Sequence, residues 1–177
     1  MNLALNQHAP DFTLEGVDGA THSLASYDGA DVLVVVQWCN HCPYVIGWEG
    51  RLNDVQRDYA ERGVSVVAVN SNAVEVQPAD SFELMVERAQ EQSFVFDYLY
   101  DPQQEVARAL GSERTPEVFV FGRDRRLVYH GAIDDNRDET AVDRRYLRDV
   151  LDALLTGGEP PLAETAPVGC TVKWRPG

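Results

Sequence analysis

Between Asp31 and Trp38 the chain reads Asp-Val-Leu-Val-Val-Val-Gln-Trp, an apolar and largely β-branched run with no alternation. A strand with one wet face would alternate, so this run predicts a central strand covered on both sides. Val64 to Asn70 ("VSVVAVN") repeats the pattern. Between the two runs Trp48, Leu52, Val55 and Tyr59 fall at i, i+4, i+7 and i+11, one face of a helix that stops at Gly63. Strand, helix, strand with a right-handed crossover makes the two strands parallel.

The flanks complete the order. "DFTLEGVDGATHSL" (Asp11 to Leu24) has two short extended runs around an Asp-Gly turn signal and predicts a β-hairpin. Phe82, Met85, Val86 and Ala89 mark a second helix, and Val106, Ala109 and Leu110 a shorter one starting near Asp101-Pro102. "EVFVFGRDRRLVYHGAI" (Glu117 to Ile133) reads as two strands around a tight turn, an antiparallel end to the sheet. Val142, Leu147, Val150, Leu151, Leu154 and Leu155 mark a closing helix ending at Gly157-Gly158. The expectation is one α/β domain over residues 1–157, with a central mixed sheet flanked by helices. A Pro-rich, irregular tail, residues 158–177, follows; its Val168, Val172 and Trp174 can dock it on the domain.

Composition narrows the function. The formal charge is −14, from 29 acidic and 15 basic residues, and Lys173 is the one lysine among the latter. Such a field repels phosphate backbones and anionic headgroups, which argues against nucleic acid or a membrane as partner. The first residues, "MNLALNQHAPDFTL", contain no basic segment and no apolar run of secretory length, so a cytoplasmic location is expected. Three cysteines are too few for a secreted disulfide scaffold. In a reducing compartment the close pair Cys39 and Cys42 points instead to redox catalysis, sensing or metal binding.

The hairpin, the buried strand running into Trp38-Cys39-Asn40-His41-Cys42-Pro43, the βα elements and Thr115-Pro116 directly before a strand together resemble the thioredoxin fold. More closely, the chain resembles the thioredoxin-like proteins of the redoxin (AhpC/TSA) group. It is most similar to a cytosolic subgroup marked here by "CNHCPYV", "YLYD", "TPEVFVF", "DDNRDE" and "GCTVKW". The resemblance spans nearly the whole chain. It implies a thiol–disulfide oxidoreductase with no bound cofactor, acting on protein or small-molecule thiols and disulfides and recharged by an electron-donor thiol system.

Residue roles follow from the resemblance and from physics together. A cysteine at the first turn of a helix meets unpaired N–H groups and the positive end of the helix dipole, which favour thiolate; Cys39 is therefore the expected nucleophile and Cys42 the resolving thiol. His41, between them, adds charge that stabilises the Cys39 thiolate, and the family's strongest oxidant has His at this position where reducing thioredoxins have Pro. Thr115-Pro116 matches the family's cis-proline loop, which offers backbone groups to an extended substrate, and Trp38 matches the aromatic that helps shape the groove. Arg114, where many relatives of the subgroup carry cysteine, brings a cation to the site. Cys170, alone in the tail, is either an additional redox thiol or a small packed hydrophobe.

The chain also departs from its relatives. Leu33 stands where many thioredoxins have a buried acid that accepts the resolving thiol's proton, leaving Glu117 or a water as substitute. The residues where a typical peroxiredoxin carries Thr and Pro, counted back from Cys42, are Cys39 and Val35. A thiol peroxidase, forming a sulfenic acid at Cys39 or Cys42, is therefore an alternative and not the leading reading. A second alternative is a Cu or Zn carrier using Cys39, Cys42 and His130. Asp134, Asn136 and Asp138 alternate like a calcium loop but lack its Gly and terminal Glu, and read as a solvated loop.

Overall fold

The computed structural model describes residues 1–177. In chain order it contains β1 (Thr13–Gly16), β2 (Thr21–Ser23), β3 (Val32–Trp38), α1 (Pro43–Tyr59), β4 (Val64–Asn70), α2 (Phe82–Glu91), β5 (Asp97–Tyr100), α3 (Glu105–Leu110), β6 (Arg114–Thr115), β7 (Glu117–Phe121), β8 (Leu127–Gly131), α4 (Tyr146–Leu155) and β9 (Cys170–Thr171). Seven strands form one sheet in the order β2-β1-β5-β4-β3-β7-β8, and β6 pairs with β9 alone. β3 is parallel to β4 and antiparallel to β7, so the longest apolar run is paired on both edges. This is the mixed, helix-flanked sheet of the thioredoxin fold.

The unbroken hydrophobicity of β3 has a direct cause. Val32, Val34, Val36 and Trp38 face a core that includes Val45, Trp48, Leu52 and Val55 of α1, Met85 of α2 and Leu147, Val150 and Leu151 of α4. Leu33 and Val35 face the other way, onto Val106 and Leu110 of α3, Phe119, Phe121 and Phe12. Both faces are therefore dry, and a polar residue at any of these positions would be buried without water. α1 and its trailing turn end at Gly63, whose φ of +85° suits glycine.

Several elements differ from the sequence reading, α3 among them, which starts at Glu105 and not near Asp101-Pro102. β5 was not foreseen: four residues are too few to show a period, although Tyr98 and Leu99 are buried on opposite faces. α4 starts at Tyr146, because Glu139–Ala141 form a separate 3-10 turn with Asp138 as its cap. The tail after α4 is not wholly irregular, since it contributes β9 and a bridge from Glu164 to His130. No helix is long and apolar enough to cross a membrane.

Candidate active site

β3 delivers Trp38 and Cys39 to the C-terminal edge of the sheet. The chain then turns through Asn40 and His41, and α1 begins at Pro43 with Cys42 in the extended conformation of an N-cap. The sequence reading put Cys39 in the first turn of the helix; in the structure the helix starts after Cys42, and it is Cys42, not Cys39, that stands at its N-terminal N–H groups. Cys42 is held well down, at about 4. The largest cause is the hydrogen bond from the Cys39 thiol; contacts from the Cys170 thiol and the Val45 N–H add to it, and burial opposes it. Cys39 moves the opposite way: as donor to Cys42, buried and facing the Asp80 carboxylate, its thiol is pushed far up. The surroundings thus turn the two thiols in opposite directions, favouring negative charge at Cys42 over Cys39. The sequence reading puts the thiolate on Cys39; in the structure the helix start and the lowered thiol both fall at Cys42.

Asp80, from the turn before α2, sets a carboxylate against the cysteine loop. It is fully buried and accepts the Asn40 N–H and the Asn72 amide, each at 2.8 Å. Its Oδ2 lies 2.6 Å from His41 Nδ1, and its charge opposes ionisation of Cys39. Tyr98 OH donates to Asn40 Oδ1 at 2.8 Å, so the loop between the cysteines is braced from β5 as well. No local signal marks Asp80 in the sequence, since folding alone brings it to His41.

Glu117, the acid suggested as a substitute, is engaged elsewhere. It accepts the Glu113 and Arg114 N–H groups at 2.7 and 2.9 Å and contacts His130 Nε2 at 2.6 Å. It shapes the loop leading to the Thr115-Pro116 peptide, which is cis. With His130 bound to Glu117, the Cys39, Cys42 and His130 metal trio is not assembled. The donors that converge are Cys39, His41 and Asp80, mutually within 4.8 Å.

Thr115 sits on both sulfurs, its Oγ1 3.6 Å from Cys39 Sγ and its carbonyl oxygen 3.4 Å from Cys42 Sγ. The backbone expected to receive an extended substrate is already paired, because Arg114 and Thr115 face Thr171 and Cys170 of β9. Cys170 Sγ lies 2.6 Å from Cys42 Sγ. Its own thiol is pushed up to about 11, by burial first and then by the Cys42 sulfur, with Lys173 and Arg114 pulling the other way. Arg114 thus acts on Cys170. Under this cover Cys39 and Cys42 are both buried. Trp38 is core: fully buried, it meets Phe96 edge-on at 6.0 Å and lines no surface groove. Asp134, read as part of a solvated loop, is also buried, holding Trp48 Nε1 at 2.8 Å and Arg51 at 2.5 Å.

Comparison with known proteins bears on the family and the fold. The AhpC/TSA family model matches residues 5–130. The thiol-disulfide oxidoreductase ResA of Geobacillus thermodenitrificans is 28% identical over 123 residues, covering 68% of this chain and 65% of its own length. The chain therefore spans just under two thirds of that curated relative. Among solved structures, a protein of Sinorhizobium meliloti superposes with TM-score 0.94 at 35% identity, covering 100% of this chain and 98% of its own. A conserved protein of Geobacillus kaustophilus superposes at 0.93 with 39% identity, covering 98% and 94%. A putative thiol:disulfide interchange protein DsbE of Chlorobium tepidum, at 21% identity and TM-score 0.67 over 88% of this chain and 97% of its own, shares the fold.

Proposed function

The chain belongs to the AhpC/TSA family of redoxin-type, thioredoxin-like proteins, and from that premise we propose that it is a thiol–disulfide oxidoreductase cycling Cys39 and Cys42 between dithiol and disulfide. The observation that carries the reading is the strand-to-helix corner itself, where Cys42 caps α1 three residues after Cys39 and Thr115 lies against both sulfurs. The Cys42 thiolate attacks one sulfur of a substrate disulfide, and the other substrate sulfur leaves as thiolate. Cys39 then attacks Cys42 in the mixed disulfide, closing the Cys39–Cys42 bond and releasing the second substrate thiol. The substrate gains two electrons, the protein loses them, and an external thiol restores the dithiol. A thiolate held near 4 stabilises the reduced form, which favours a comparatively oxidising disulfide.

Exchange measured on a model disulfide with trapping of intermediates tests this. Cys42→Ser abolishes exchange, and Cys39→Ser combined with Cys170→Ser accumulates a mixed disulfide on Cys42. A mixed disulfide trapped on Cys39 in Cys42→Ser would return the nucleophile to Cys39, and full turnover in both variants would end the proposal.

One observation favours a second reading. A low-pKa thiolate with two thiols in contact suits a peroxidase: Cys42 attacks peroxide, a sulfenic acid and water result, and a neighbouring thiol condenses with it to a disulfide, releasing a second water. Rapid peroxide consumption with negligible disulfide exchange would select it.

A further inference from the structure

The chain after α4 is clamped on both sides of Cys170. Upstream, His130 N–H donates to Ala163 O and Thr165 N–H to His130 O, each at 3.0 Å, and Thr165 Oγ1 lies 2.6 Å from the Tyr129 hydroxyl. Downstream, Val172 N–H donates to Glu113 O at 3.1 Å, Lys173 N–H to Asn72 Oδ1 at 2.8 Å and Arg175 N–H to Gln104 Oε1 at 3.0 Å. Between the clamps β9 lies antiparallel to β6 with Cys170 opposite Thr115. Gly169 permits the approach, since a Cβ there would stand 2.0 Å from Thr115 O.

What this strand delivers is a sulfur, 2.6 Å from Cys42 Sγ. Deepening the function proposed above, we infer that Cys170 is a third exchanging thiol of the site, presented by the tail as a built-in strand in place of an extended partner. In the oxidised protein the Cys170 sulfur, having given up its proton, attacks Cys42 of the Cys39–Cys42 bond. The Cys42–Cys170 bond forms, the Cys39–Cys42 bond breaks, and Cys39 departs with the electron pair and takes up a proton. The disulfide moves with no net oxidation, and Cys39 returns to the thiol form that its buried surroundings favour. Once Cys42 is in a disulfide its negative charge is gone, and with it one of the influences that hold Cys170 protonated.

Three proteins decide the matter after brief diamide oxidation, acid quench and peptide mapping by mass spectrometry. Wild type yields both Cys39–Cys42 and Cys42–Cys170 links, and Cys39→Ser yields an intramolecular Cys42–Cys170 link in a monomer. Adding Gly169→Ala to Cys39→Ser slows that link by about tenfold or more, since a misplacement of about 1 Å costs on the order of 100-fold in such reactions. A Cys39→Ser protein that gives only dimers or external adducts, with Cys170 free, overturns the inference and leaves the Cys39–Cys42 cycle standing. A wild type that forms Cys42–Cys170 and never Cys39–Cys42 overturns the function proposed above and leaves the Cys42–Cys170 contact standing.

Discussion

Nδ1 of His41 lies 2.6 Å from Oδ2 of Asp80. That one contact joins the loop between the two cysteines to the turn before α2. Because Asp80 also receives the Asn40 N–H, a single buried carboxylate sets both the shape of the cysteine loop and the field at Cys39.

Replacing Asp80 by Asn removes the charge and keeps one acceptor oxygen. Thiolate absorbance followed through a pH titration of the reduced protein is expected to show the higher of the two cysteine-pair transitions moving down, because the carboxylate that opposes Cys39 ionisation is gone. An unchanged upper transition would mean that Asp80 only braces the loop.

His41→Ala leaves the Asp80 carboxylate beside Cys39 without the imidazole against it. Equilibration with glutathione is expected to show a disulfide harder to reduce by about tenfold in the equilibrium constant, or about 30 mV. A potential equal to wild type would reduce His41 to a half-exposed loop residue.

Cys42 is depressed to about 4, below its unfolded value of about 8.5. A group shifted in this direction contributes stability that is full above the unfolded value and is lost as pH falls towards about 4. Denaturant unfolding of the reduced protein against Cys42→Ser is therefore expected to show a gap that widens as pH rises from 5 to 9. A gap independent of pH would contradict the thiolate.

Arg51 and Asp134 form an ion pair buried on both sides, and Asp134 also holds the Trp48 indole N–H. Asp134→Ala leaves a buried guanidinium without its partner, and chemical denaturation is expected to show a loss of about 3–5 kcal/mol. Because α1 carries Cys42 at its N-cap, exchange activity should fall with the fold and not before it.

The sheet's central strands were legible because burial on both faces leaves a mark that needs no partner: Val32 to Val36 and Val66 to Val69 are apolar in succession whatever lies above them. The cysteine pair and its place at a strand-to-helix corner were equally plain, since both are matters of neighbouring residues. β5 was not, because Asp97 to Tyr100 is too short to carry a period and becomes a strand only where β1 and β4 lie alongside it. The site divides in the same way. Local order put Cys39, His41 and Cys42 within one turn, and Pro43 at the first helical position marks the helix start just after Cys42. Asp80 reaches His41, and Cys170 reaches Cys42, across long stretches of chain. A sequence pattern reports the environment a residue needs, not the distant residue that will supply it, so these two contacts belong to the tertiary structure alone.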